Sequence, residues 1–477
     1  MNARSKSGSR RACVIGSGPN GLAAAITLAQ AGLAVDVFEA EPQPGGGART
    51  LELTLPGFHH DVGSAVHPMA VGSPFFSELP LQRHGLEWIH PSAPIAHPLD
   101  DGTAVVLERD LQVAASALGE DGKRWRSLMR PFVQHWPDLA AGILRPLGPR
   151  AFLRHPFLMA RFGIAALPSA KMLAHIFRGE RAKALFAGLA AHSFLSLDAP
   201  LTAAFGIILG AAAHAGGWPI PRGGAQSITN ALCAHLASLG GIVKTNSRIE
   251  NLSQLAGYNL TLCDLSPVQL LRLARNRFPV RYSRRLAKFR YGPGVFKVDY
   301  ALHAPIPWKS SDCVRAATVH LGGTFAEIAA SEYDMSNGRH AEHPFVLLSQ
   351  PTLFDTTRAP AGKHIAWAYC HVPNGSTVDM LPALESQIER FAPGFRDCVL
   401  QRCVLTPAAL EKRNANLIGG DIAGGAVDFR QFFFRPTWRL YATPARDIYL
   451  CSSSTPPGAG VHGMCGHNAA QLALSRL

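Results

Sequence analysis

The sequence predicts an α/β fold whose parallel sheet is assembled from distant parts of the chain. Three segments carry that expectation. Near the N-terminus, an apolar run, a glycine loop, a helix and a second apolar run follow in order. Residues 216–275 hold a glycine turn, a helix and further short strands. Near the C-terminus, a strand enters a glycine- and proline-rich turn and then a helix.

The first segment is the most informative. Residues 12–15 (ACVI) form a short apolar run of the kind that is buried in a parallel sheet. The loop Gly16-Ser17-Gly18-Pro19-Asn20-Gly21 follows, then a helix over 22–31 that Gly32 stops. A second strand over 34–38 ends at Glu39, which is 39 − 21 = 18 residues past the last glycine. In a dinucleotide fingerprint the first glycine makes the turn, the second admits the diphosphate and the third lets helix pack on strand. The helix N-terminus offers free N–H groups to phosphate. An acid roughly 20 residues on binds a ribose hydroxyl, and it would repel the 2′-phosphate of NADP.

The second segment begins at Trp218-Pro219-Ile220-Pro221-Arg222-Gly223-Gly224 and runs into a helix over 228–239. Gly240-Gly241 and a strand ending near Ile249 follow, then another strand over 258–265. At the C-terminus a strand over 448–451 precedes the turn containing Pro457, Gly458, Gly460, Val461, His462 and Gly463. A helix over 468–474 follows it.

Composition suits a large folded protein. The chain has 477 residues, 47% hydrophobic and 17% charged, which predicts two or three domains. The formal charge of +13 lacks a nucleic-acid-type basic run, and residues 1–10 read as a disordered basic tail. Nine scattered cysteines do not form a secreted disulfide framework. Between Asp198 and Arg222 no residue is charged, but the prolines and glycines there leave a buried helix over 201–213, too short to span a bilayer. Metal sites are not expected, since His59 and His60 are adjacent and point apart on a strand.

A second glycine-rich turn, Gly45-Gly46-Gly47-Ala48-Arg49-Thr50, follows Glu39 and Ala40. With the C-terminal turn, it resembles the signature of the amine oxidase and phytoene desaturase flavoproteins. Residues 57–68, including Val66, and residues 291–300 extend the resemblance over nearly the whole chain. The bacterial phytoene dehydrogenase-like subgroup, also labelled pyridine nucleotide-disulphide oxidoreductase domain-containing, is the most similar. The resemblance implies FAD, held by a discontinuous Rossmann-type FAD-binding domain with an inserted α+β substrate domain. The expected divisions are 11–110, 216–275 and 430–477 for FAD, and 111–215 and 276–429 for substrate.

The cofactor residues implied are Gly16, Gly18, Pro19, Asn20, Gly21, Glu39, Ala40, Gly46, Gly47, Arg49, Thr50, Val66, Ile249, Gly458, Gly460, Val461 and His462. Arg49 and His462 are the expected catalytic residues, as a cation beside the flavin and a loop-borne base. No second dinucleotide unit occurs, and no cysteine pair follows the first motif, so dithiol chemistry is not expected of Cys398 and Cys403.

The activity implied is dehydrogenation of an apolar, isoprenoid- or polyene-like molecule, with electrons passing to oxygen or a quinone. Two rivals are an amine or amino-acid oxidase, which calls for an aromatic cage or a carboxylate-binding arginine, and a non-catalytic flavin-fold escort protein. Residues 145–194 are basic, apolar and nearly free of acids. In desaturases of the family this region meets the membrane, which implies a cytoplasmic protein held at the inner face by anionic lipid; a solvated helical cap is the alternative.

Overall fold

The computed structural model describes residues 10–148, 153–428, 431 and 433–477. Apart from Arg10, the expected N-terminal tail lies outside them, as do Arg150 and Phe152 of the basic segment. The Arg10 guanidinium donates to the carbonyl of Leu477 at 3.1 Å.

The smaller sheet has five parallel strands: β1 (Arg11–Ile15), β2 (Ala34–Phe38), β3 (Ile242–Lys244), β4 (Leu260–Cys263) and β5 (Ile448–Leu450). Their order is β5-β4-β1-β2-β3. β1 is buried after its first residue, as expected for a strand covered on both faces. Ile15 pairs with both Phe38 and Cys263, and Cys263 pairs with Leu450. The carboxyl ends therefore align, and Gly16, Glu39, Asp264 and Cys451 emerge along one edge, where open α/β sheets bind ligands.

Helix α1 (Pro19–Gln30) starts with proline at its first turn and is buried from Asn20 to Ala29. Two glycines fix its position. A Cβ on Gly21 would lie 2.1 Å from the Gly16 carbonyl oxygen, so only glycine lets helix approach strand. A Cβ on Gly466, in the C-terminal helix Met464–Leu474, would lie 1.7 Å from the carbonyl oxygen of Asn20.

The larger sheet is mostly antiparallel. Its order is 399–405, 294–302, 364–372, 346–349, 316–321, 93–98, 104–107. Residues 93–107 thus belong with this sheet, although the sequence grouped them with the nucleotide domain. Strand 93–98 pairs in parallel with 316–321, a partner that sequence proximity does not reveal.

Alternation gives the larger sheet two faces. Phe296, Val298, Tyr300, Ala366 and Ala368 pack with the helix Leu381–Phe391. On the other face, Lys297 stands opposite Tyr369 and Asp299 opposite Trp367. Leu347 pairs with both Tyr369 and His320 in the same row.

Helices between residues 122 and 215 cover this second face. They close tightly over it, since a Cβ on Gly188 would meet His320 Nδ1 at 2.6 Å. The uncharged stretch forms the helix Thr202–Ala215, mostly buried, and among the described residues no helix is long and apolar enough to cross a membrane. The outer side of the cap differs: Phe157 is 90% exposed and Ile164 78%, with Leu153, Leu167 and Met172 also exposed.

Candidate functional site

A cavity of about 740 Å³ lies between the carboxyl edge of the smaller sheet and the second face of the larger one. At one end it is lined by both glycine loops, and at the other by residues of the cap and the larger sheet.

Gly16, Gly18, Pro19 and Asn20 of the first loop line it, with Glu39, Ala40, Gly46, Gly47 and Arg49. Val66 and Ile249 join them, and Gly460 and Val461 come from the C-terminal turn. Thus residues far apart in sequence reach one wall because the parallel strands end at one level. Gly21, Thr50, Gly458 and His462 stand behind that wall. Gly21 packs on Gly16, and the Thr50 hydroxyl donates to Asp61 Oδ1 at 2.8 Å. A Cβ on Gly458 would meet Arg435 Nη1 at 3.1 Å.

The nucleotide end fits a dinucleotide. Asn20 Oδ1 and Ser64 Oγ line the cavity, buried and without a partner among the described residues. The Gly47 Cα faces open space, so backbone is bare to a ligand there. Glu39 is buried at the end of β2. Its carboxylate accepts from the Ser17 N–H at 3.0 Å, the Ser17 hydroxyl at 2.5 Å and the Glu41 N–H at 3.0 Å. These bonds tie the acid to the first loop at the place expected for ribose recognition.

Arg49 is 6% exposed; its Nε donates to the Gly46 carbonyl at 3.0 Å and its Nη2 to the Arg413 carbonyl at 3.3 Å. Glu41 lies 3.9 Å from Nη1 and offsets part of its charge. His462 is placed differently from the sequence expectation of a base. Its ring is buried, its Nδ1 accepts from the Met464 N–H at 3.0 Å, and it does not line the cavity. Burial pushes its pKa down to about 4. It holds the turn, and it lacks the access that general-base chemistry needs.

Several wall residues escaped the sequence reading. Asp264 follows β4, and its Oδ2 accepts from the Gly21 N–H at 3.0 Å beneath the first loop. Burial, reinforced by Glu39, raises its pKa to about 7. Arg435 is buried on the wall, donating to the carbonyls of Gly424 at 2.7 Å and Ser453 at 3.0 Å. Lys297 is 3% exposed and lines the cavity, with Asp299 Oδ2 2.5 Å from Nζ. A lysine and an aspartate two residues apart in an otherwise apolar strand were the available signal. Nothing local marked Arg435.

The substrate end also holds His67, His192, Ser193, Phe194, Trp218, Trp367 and Tyr369. Trp367 and Tyr369 stack on each other, centroids 5.4 Å apart and planes 18° apart. They leave no gap between them, so they are not a cage for a substrate. His192 Nε2 lies 3.1 Å from the Nε2 of His320 behind it. Burial lowers the His192 pKa to about 3. Cys398 and Cys403 are free thiols away from the cavity. Among the described residues no cluster of His, Cys, Asp or Glu is arranged to hold a metal ion.

A family model described as flavin containing amine oxidoreductase matches residues 20–265. The chain is 26% identical over 550 aligned positions to pyridine nucleotide-disulfide oxidoreductase domain-containing protein 2 of Rattus norvegicus, covering 98% of this chain and 93% of that one. It is 26% identical to phytoene dehydrogenase of Streptomyces griseus, over 86% of this chain and 80% of that one. Among solved structures, an oxidoreductase from Methanosarcina mazei superposes with a TM-score of 0.63 at 16% identity, covering 98% of this chain and all of that one. Putrescine oxidase bound to putrescine superposes with a TM-score of 0.61, also at 16% identity, over 98% of each chain. At such identities the two superpositions bear on the fold.

Proposed function

Because the chain belongs to the flavin containing amine oxidoreductase family and is an FAD-dependent oxidoreductase, we propose that it dehydrogenates a largely apolar organic molecule. One observation carries this reading: the composition of the cavity wall. The acids lining it are Glu39, Glu41, Glu250 and Asp264, all from the carboxyl edge of the smaller sheet. Toward the cap and the larger sheet the wall is aromatic and aliphatic, and its lining cation Lys297 is already paired with the buried Asp299 behind it. A protonated amine would be desolvated there with no free carboxylate lining the wall to face it, which costs more than an apolar chain does.

When bound, FAD supplies a two-electron acceptor for a hydride from a substrate carbon. Asn20, Ser64, the two glycine loops and Glu39 hold the dinucleotide. Arg49, Arg435 and Lys297 set the positive field of the cavity, and Lys297 is kept in place by Asp299. Gly460 and Val461 line the cavity, and His462 fixes their turn. The cap helices exclude water from the apolar end. Phe157, Ile164, Leu167 and Met172 on the outer cap, among Arg154, Arg161 and Lys171, are read as the face that meets an anionic membrane, from which an apolar substrate would enter.

Anaerobic mixing of the purified holoprotein with isoprenoid and amine panels tests the activity. Loss of the oxidised flavin absorbance with an isoprenoid supports the reading. Reduction by amines alone contradicts it.

A further inference from the structure

The cavity wall away from the glycine loops is apolar in bulk, with Phe205, Leu209 and Trp218 on it. Three of the polar side chains on it stand apart from the rest. Both ring nitrogens of His67, Oγ of Ser193 and Nε1 of Trp367 are buried with no hydrogen-bond partner among the described residues. All three residues line the cavity, and they are 2%, 0% and 6% exposed.

They come from three separate elements. His67 precedes the short helix Pro68–Val71, and its own N–H donates to the Pro219 carbonyl at 2.9 Å. Ser193 follows the helix Glu180–Ala191. Trp367 lies on strand His364–Val372. Independent elements have thus each carried an unsatisfied polar group to one apolar wall. Buried polar groups are rarely left unpaired, and each one costs its desolvation when it is. A hydrocarbon filling this end would leave all of them so.

We infer that the ligand of this end is an apolar molecule carrying an oxygen that accepts hydrogen bonds: a hydroxyl, carbonyl or carboxylate. The inference rests on the apolar-substrate reading above for the body of the molecule, and it adds the functional group that reading lacks. The donors set the class. An indole N–H only donates, a neutral imidazole donates at one nitrogen and accepts at the other, and a serine hydroxyl does both. Burial keeps His67 neutral, with its pKa lowered to about 4. An ammonium, which only donates, would leave the indole unpaired. A site built around such groups also discriminates strongly against analogues that lack the oxygen.

Three probes of one carbon skeleton test this: phytane, phytol and phytanic acid. Each is titrated into the holoprotein, and the shift of the visible flavin bands gives an apparent Kd without need of turnover. Phytol or phytanic acid should bind at least about tenfold more tightly than phytane, the weight of roughly one hydrogen bond. Trp367→Phe keeps a ring and removes the donor, and His67→Leu keeps volume and removes both nitrogens. Each should shrink the preference, taken as the ratio to phytane in the same variant, about threefold or more, the lower range for one lost bond. Equal affinity for phytane and the oxygenated probes overturns the inference, as does a preference that neither variant moves. If none of the three shifts the flavin spectrum, the apolar-substrate reading itself is overturned.

Discussion

Glu39 shows how one side chain serves both the loop and the cofactor site. It collects three donors from the first loop and its own strand end, so its removal loosens the loop and deletes a ribose acceptor together. Glu39→Ala should weaken FAD by about 1–3 kcal/mol, the range for a charged hydrogen bond, as read by fluorescence titration. Unchanged affinity would remove Glu39 from the site. His462 leads to the opposite kind of expectation. With its ring behind the turn and its pKa held near 4, His462→Ala should leave the pH dependence of single-turnover flavin reduction as in the parent. Loss of an ionisation near pH 6–7, where an unperturbed histidine titrates, would restore it as a base. At this scale the sequence was a partial guide. Glycines and Glu39 were legible because their spacing is local. Lys297, Arg435 and Asp264 were not, because burial and a distant partner give them their character.

At the scale of elements, the α1 contact with the C-terminal helix joins the two ends of the chain across the nucleotide loop. The Cβ of Gly466→Ala would intrude on the Asn20 carbonyl, against backbone that cannot move without shifting the loop. A loss of about 1–3 kcal/mol, the usual cost of overpacking, and weaker FAD retention should follow in thermal melts with and without added FAD. An unaltered melting temperature would show that the two helices move apart freely. The cap makes a second prediction. Its exposed apolar side chains and cations should bring the protein down with anionic vesicles at low salt, and added salt should release it. Phe157→Glu should abolish that sedimentation, while neutral vesicles should bind little; equal binding to both would make the outer cap an ordinary solvated surface. Strand and helix identities near the motifs were readable from period and glycine placement. The assignment of 93–107 to the larger sheet was not, since its parallel partner lies more than two hundred residues on.

At the scale of the whole molecule, buried imidazoles with lowered pKa outnumber the buried carboxyls with raised pKa among the described residues. Burial lowers His60 and His192 to about 3, and His67, His97 and His462 to about 4, and it holds His320 well below its ordinary value too. Groups with depressed folded pKa bind more protons when unfolded, so they lose stability as pH falls below about 6.5. Asp264, Asp299 and Asp421 are raised by burial and act in the reverse sense, but they are fewer. The melting temperature should therefore fall between pH 7 and about 5, and a rise over that range would contradict the imidazoles being buried and neutral. The fold class, a Rossmann-type FAD-binding part with an inserted α+β part, followed from three glycine segments and the family likeness. What the cavity wall holds required the fold, because its residues come from strands and helices with no common motif. The central claim is dehydrogenation by bound FAD at that wall. Its most direct test is an anaerobic single turnover with an oxygenated isoprenoid, with flavin absorbance and product mass followed together. The account predicts one substrate molecule losing two hydrogens for each FAD reduced; a flavin that stays oxidised with every isoprenoid, or one reduced with no such product, would contradict it.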